Sequence, residues 1–235
     1  MYEAVHAHPD GDSTVARFAT TAATYGYDGI VVRNHGDADV TFDAPALSEA
    51  TGIDVVEAIE IRADNPAQAS GHVGNYRPKK TLLVVHGGST KVNRFACEQE
   101  RVDVLAHPMA GRGDVNHVLA KAAARNNVRL EFNFGDVLRR HGGPRVQALQ
   151  NLRKLRELVE YYDAPFVVSG DPHTHLELRA PRELVALGEA IGFSRDQVER
   201  GLTEWGEIVA HNREVQRADF IEPGVRRGRY EEVSE

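Results

Sequence analysis

The sequence predicts an α/β fold whose parallel strands close into a (β/α) barrel, and three observations carry that expectation. Short apolar runs of strand length alternate with stretches of helical periodicity, as in a parallel sheet with crossover helices. Most of those runs end on a histidine, a carboxylate or both: His6, His35, Glu60, His86, His107, Glu131, Asp171 and His173. An open doubly wound sheet would gather such residues only at its switch point, whereas a closed ring delivers one from each strand to a single rim. The expected architecture is TIM-barrel-like, seven-stranded or otherwise irregular, with a single domain over 1–212 and a partly ordered tail over 213–235.

Taken in order, Tyr2 to His6 is the first expected strand and runs into His6-Ala-His8-Pro9. Asp12 or Ser13 caps a helix to about Tyr25, with Val15, Phe18, Ala19 and Ala22 on one face. Gly29 to Arg33 is the second strand, and a weak helix over 45–50 precedes the third, Asp54 to Ile61. Residues 64–80 hold Gly, Asn and Pro and are expected as loop. Leu82 to Val85 is wholly apolar, as a strand buried on both faces is, and Ser89 then opens a helix through Cys97. Val102 to Ala106 stops at His107-Pro108, Asp114 caps a helix closing at Asn126-Asn127, and Arg129 to Phe132 is the sixth strand. Pro144 stands in the first turn of a long helix to Tyr162, with Val146, Leu149, Leu152, Leu155 and Val159 at helical spacing. Phe166 to Val168 is the seventh strand, and Pro181 opens a helix to Ile191. Ser194 and Gln197 form a capping box for the last helix, to about Ala210.

A chain of 235 residues with 41% hydrophobic and 27% charged residues is long enough and apolar enough for one large globular domain. No apolar run approaches the roughly 18 residues of a membrane span, and the N-terminus lacks a basic region followed by an apolar one. The expected compartment is the cytoplasm. Cys97 is the single cysteine, which excludes an internal disulfide or a multi-cysteine zinc site and points to burial as a small hydrophobe. A net charge of −7 argues against indiscriminate nucleic-acid binding. Among the 28 basic residues, however, 23 are Arg and 5 are Lys, and guanidinium forks still suit specific phosphates. Gly111-Arg-Gly113 lacks the third glycine of a phosphate-binding fingerprint.

His6 and His8 are two apart, as are Asp171 and His173, and on an extended backbone such pairs point to one side. With His35, Glu60, His86, His107 and Glu131 at other strand ends, the rim could hold a divalent metal, zinc, manganese or iron. A metal-bound water can attack a phosphoester. The competing reading is that these are surface loop residues or satisfied polar groups of the core. Arg33, Arg62, Arg112, Arg139, Arg140 and Arg179 fall just past expected strand ends, a candidate RNA-binding rim for phosphates or, alternatively, a solvated charged face. Arg226, Arg227 and Arg229 in the tail suit solubility or a loose nucleic-acid contact.

Three stretches, VDVLAHPMAGRGDVNHVLAKAAARNNVRLEFNF, GPRVQALQNLRKLRELVEYYDAPFVVSGD and LRAPRELVALGEAIG, resemble the protein component 3 family of archaeal ribonuclease P, related to the thirty-kilodalton subunit of the eukaryotic enzyme. The most specific pieces are Asn116-His-Val-Leu-Ala-Lys121, Asn127-Val-x-Leu-Glu-Phe132 and Leu178-Arg-x-Pro-Arg-Glu-Leu184, and VHGGSTKVNRFACEQERVD at 85–103 agrees. The likeness is strong over 53–192 and looser before it. It implies a barrel inside a ribonucleoprotein endonuclease that removes the 5′ leader of precursor tRNA. It further implies that the catalyst is the RNA subunit with its magnesium, that this chain supplies no catalytic residue and needs no cofactor, and that its partners are ribonuclease P RNA, protein component 2 and precursor tRNA, with no membrane. The strand-end pattern is also similar to the polymerase-and-histidinol-phosphatase group of metal-dependent phosphoesterases. A stand-alone phosphoesterase with His6, His8, His107, Asp171 and His173 as principal ligands is therefore the alternative.

Overall fold

Side chains on a strand alternate between two faces, and here both faces of the strands are covered, so the second, third and fourth in particular are rich in Val, Ile and Leu. In the computed structural model, which describes residues 1–217 and the backbone of a hairpin at Phe220–Glu222 and Val225–Arg226, the seven strands of the main sheet are β1 (Tyr2–Val5), β2 (Gly29–Val32), β3 (Asp54–Ile61), β4 (Leu82–His86), β5 (Val104–Ala106), β6 (Arg129–Asn133) and β7 (Phe166–Ser169). They pair in chain order and every pairing is parallel, from Tyr2↔Gly29 through Asn133↔Ser169. The nearly closed barrel expected from the polar strand ends is what forms. The remaining tail, including the side chains of Arg226, Arg227 and Arg229, lies outside the described residues.

The helices wrap the outside: α1 (Val15–Thr24), α2 (Ala44–Thr51), α3 (Pro66–Tyr76), α4 (Thr90–Cys97), α5 (His117–Asn126), α6 (Gly135–Arg139), α7 (Gly142–Tyr162), α8 (Pro181–Ile191) and α9 (Arg195–Val215). Two starts differ from the sequence expectation. Thr14, not Asp12 or Ser13, caps α1 by accepting the Arg17 N–H, because Ser13 is drawn inward to His175. Asn116 caps α5 by accepting from Val118 and Leu119, while Asp114 pairs with Lys154 from α7. Within 64–80, α3 forms where a loop was expected: Asn65 caps it, Pro66 opens it, and Ala69 and Val73 alone are buried. An apolar face of two residues is too faint a periodicity to find among glycines. The short α6 was missed for the same reason, and α9 continues past residue 212 to Val215.

The outward faces of β3–β7 pack on α3, α4, α5, α7 and α8 through Ile59, Leu83, Leu105, Leu130 and Phe132, while those of β1 and β2 pack on α1 through Val5, Ile30 and Phe18. Inside the barrel the lining is mostly small, Ala4, Val31, Val56, Ala58, Val84, Val104, Ala106 and Val167, with Leu82 the larger exception. The space they leave is filled from α9 by Trp205, Ile208 and Val209. This matters because no ladder joins β7 back to β1 among the described residues. The seam is instead closed by α9, whose Trp205 indole N–H donates to the Val168 carbonyl at 2.9 Å, and by Glu3, whose carboxylate accepts the Gly170 N–H at 3.0 and 3.1 Å. Burying an indole of about 200 Å² contributes on the order of 5 kcal/mol.

Glu3 is fully buried at this seam, where Tyr27 also donates to it. Burial pushes its carboxyl up from 4.5 to about 8 against the pull of the Gly170 and Ala4 amides. A carboxyl held above its unfolded pKa contributes stability that is complete below about pH 4.5 and is lost as the pH climbs through about 8. Wild-type stability relative to Glu3→Gln should therefore fall between these two values, as measured by urea unfolding midpoints at stepped pH. Parallel curves for the two proteins would show that Glu3 does not titrate there.

Candidate functional site

The strand alternation that lines the barrel with Ala and Val continues one step beyond each strand, and that step changes the chemistry. Ala4 is followed by His6, Val31 by Arg33, Ala58 by Glu60 and Val84 by His86, each two residues on and therefore on the same inward face. Glu131 enters from β6, and Ser169 and Asp171 extend the inward line of Val167. The result is an apolar floor under a layer of charge at the carboxyl ends of the strands.

Arg33 lies in the middle of that layer with no solvent exposure. Its Nη2 donates to Asp171 Oδ1 at 2.6 Å, and its Nη1 lies 2.7 Å from Glu131 Oε1 and 3.5 Å from Glu60 Oε2. The Trp205 ring lies beneath it, 5.9 Å from Cζ. Burial disfavours the guanidinium, but Glu131, Glu60 and Asp171 outweigh that and hold its pKa above its usual value. The carboxylates are held in turn. Ser169 Oγ donates to Glu131 at 2.7 Å and the His107 N–H at 3.1 Å, and burial of Glu60 and Asp171 is overcome by Arg33 and the histidines, which leave both well below the usual carboxylate range.

The histidines form the other half of the layer. The His6 ring is stacked between His35 and His173, with centroids 4.8 and 4.5 Å away. Asp10 Oδ2 takes both His6 Nδ1 and His35 Nδ1 at 2.7 Å and the His35 N–H at 2.9 Å. Burial opposes a charge on His6, yet Asp10, Asp171 and Glu60 raise its pKa to about 9. His35 is raised in the same way, against its burial, by Asp10 and Glu60. Asp10, also disfavoured by burial, is lowered by the two imidazoles. Burial and the charge on His6 lower His173. His86 Nδ1 meets Glu60 Oε1. His107 and Asp171 adopt positive φ, 46° and 52°, a strained region for non-glycine residues that costs about 1–3 kcal/mol and gathers at functional sites.

Three groups among the described residues have the spacing of metal ligands, with donor atoms within 4.8 Å: His6–Asp10–His35, His6–Asp171–His173 and His35–Glu60–His86. Six of the nine candidate ligands thus come together. His8 does not: β1 ends at Val5, the extended backbone stops before it, and its side chain is exposed. Glu131 is committed to Arg33 and Ser169, and His107 stands on the rim, 3.7 Å from Asp171, outside these groups. Asp10 takes the place expected of His8. Nothing in spacing marks it, because it sits in the turn after Pro9 and not on a strand.

The arginines divide. Arg33 departs from the expected RNA-binding rim: its register with Val31 turns it inward, where it has no exposed surface to offer RNA. Arg62, Arg112 and Arg140 are exposed, Arg140 beside Asp136. Arg139 is half-buried and donates to the Gly170 and Asp171 carbonyls, and Arg179 gathers the carbonyls of Leu176, Glu177 and Leu178. Burial pushes the Cys97 thiol up to about 12, with Glu98 adding to it, so it is inert at neutral pH, as expected of a packed cysteine.

The chain matches the family described as RNase P subunit p30 over residues 1–217. It is 65% identical to "Ribonuclease P protein component 3" of Haloarcula marismortui over 226 residues, covering 96% of each chain. A chain of an archaeal ribonuclease P with mature tRNA, determined by cryo-EM, superposes with a TM-score of 0.83 at 23% identity, covering 100% of both chains. A histidinol phosphate phosphatase of Lactococcus lactis, complexed with zinc, L-histidinol and phosphate, shares the fold at a TM-score of 0.57 and 12% identity, with 82% of this chain and 94% of that one covered.

Asp10 holds two rings and a backbone amide, whereas His8 faces water. Asp10→Ala should therefore cost about 3 kcal/mol at neutral pH, and His8→Ala should stay within about 0.5 kcal/mol of wild type. Chemical denaturation of both variants checks the ordering.

Proposed function

The chain belongs to the RNase P subunit p30 family, and on that premise we propose that it works as a protein scaffold of ribonuclease P, helping the RNA subunit to cut the 5′ leader from precursor tRNA. The observation that carries this reading is the family match along 1–217 together with 65% identity to a named component 3. Binding energy from several phosphate contacts can stabilise one RNA fold without any protein group reaching the scissile bond. The exposed Arg62, Arg112 and Arg140, with Arg139 beside Arg140 and Arg179 in the loop after β7, are the phosphate contacts we assign. Protein component 2 is the protein partner of this reading, magnesium serves the RNA, and the cytoplasm is the site of action. Among the described residues no helix is long and apolar enough to cross a membrane.

The phosphoesterase alternative has one observation in its favour, the three imidazole–carboxylate groups. A divalent cation, zinc, manganese or iron, suits His35–Glu60–His86 best. There, buried His35 Nε2 and Glu60 Oε2 have no hydrogen-bond partner among the described residues. When bound, such an ion supplies Lewis acidity; the chain's own part is to orient the three donors through Asp10 and the β3–β4 pairing. The same requirement is not met on the Glu131–Asp171 side, where Arg33 fills the space.

Reconstitution tests the main reading. RNA subunit and protein component 2 should cleave precursor tRNA at limiting magnesium appreciably better with this chain than without it. Unchanged cleavage would dismiss the scaffold role, and RNA-independent phosphoesterase turnover lost in His35→Ala would favour the alternative. In the same system, Arg112→Ala and Arg62→Ala should each weaken RNA association and lower the slope of log K against log salt by about one, with thermal unfolding unchanged.

A further inference from the structure

We propose that the Arg33 guanidinium stands in for a metal ion: it occupies a divalent-cation position bounded by Glu60, Glu131 and Asp171, and that position becomes a metal site when the guanidinium is removed. The inference concerns the same strand-end layer but does not depend on the ribonuclease P reading, since it rests on geometry alone.

Three carboxylates from three separate places in the barrel, Glu60 of β3, Glu131 of β6 and Asp171 of the loop after β7, converge on one buried cation at 3.5, 2.7 and 2.6 Å. A guanidinium buried by design is normally matched fork to fork, with its donors satisfied in the plane of the group. Arg33 is not matched in that way. Its Nε and Nη1 have no acceptor of acceptable geometry among the described residues, even though Nη1 is 2.7 Å from Glu131, and Glu60 Oε2 is likewise without a donor. The carboxylates surround a point of positive charge; they do not line up along a planar fork. That is how oxygen ligands are disposed around an ion.

The supporting shell has the same character. Glu131 is oriented by Ser169 Oγ and the His107 amide, and Asp171 is approached by His6 Nε2 at 3.3 Å. Contacts that fix the direction of a carboxylate are the usual support of a ligating group. A charge of this kind is also needed: three buried carboxylates without a cation would carry several kcal/mol of desolvation each. The guanidinium supplies the positive charge permanently. It cannot take up a water molecule as a ligand or lower its pKa, so the strand-end layer keeps its architecture while losing the means to make a hydroxide nucleophile there.

The test is manganese binding by equilibrium dialysis with metal analysis, combined with thermal unfolding, on wild type, Arg33→Ala and the double variant Arg33→Met/Glu131→Gln. The double variant removes one cation and one carboxylate together and so keeps the net charge of the layer as in wild type, which gives a second protein to test if Arg33→Ala does not fold. Arg33→Ala is expected to melt lower than wild type, to bind one more equivalent of manganese than wild type, and to regain melting temperature in manganese or in low-millimolar guanidinium chloride. The double variant is expected to bind that extra equivalent more weakly. An extra equivalent in either folded variant, with a matching upward shift in melting temperature, supports the proposal. No extra equivalent in any folded variant, or recovery by neither cation, overturns it.

Discussion

A guanidinium sealed from water and shared by three carboxylates is the constraint around which this barrel is arranged. Neither sign of charge could remain there alone. Taking an ion out of water costs several kcal/mol even after relaxation, and only a counter-charge with fixed geometry offsets that cost. The geometry in turn requires β2, β3, β6 and β7 to be in register, because Glu60 and Glu131 come from β3 and β6, Arg33 directly follows β2 and Asp171 lies in the loop after β7. The charged layer therefore stabilises the closed sheet only when the ring is correctly assembled, which makes it a device of specificity as much as of stability.

The apolar layer below has a complementary logic. Small residues line the strands, and α9 fills the resulting space from one side with Trp205, Ile208 and Val209. A barrel of seven strands lacks the eighth that would complete its ladder, and the helix takes over that duty through a side-chain hydrogen bond and packing. Close approach of α9 also depends on Gly201 and Gly206. A Cβ at either would run into Val168 and Phe166 or into the Tyr2 ring.

Much of this was legible in the residues themselves. The apolar runs located all seven strands, because strands buried on both faces need no register to be recognised. The polar strand ends pointed to the barrel, which is nearly closed. What the sequence hid were facts of parity and of third dimension. Arg33 follows a strand, as a rim residue would, yet its two-residue spacing from Val31 puts it in the interior. His8 was paired with His6 by the same two-residue rule, but the rule holds only while the chain stays extended, and β1 ends at Val5. Asp10 and Glu3 were invisible for a different reason: one acts from a turn and the other across the seam, and neither position has a local pattern.

Trp205 is the only tryptophan in the chain, and it is completely buried between the seam and the charged layer. Nature has thus placed one optical reporter at the junction of the two features on which the barrel depends. Excited at wavelengths the tyrosines do not absorb, the isolated chain emits from this one buried ring, so its tryptophan fluorescence speaks for the interior.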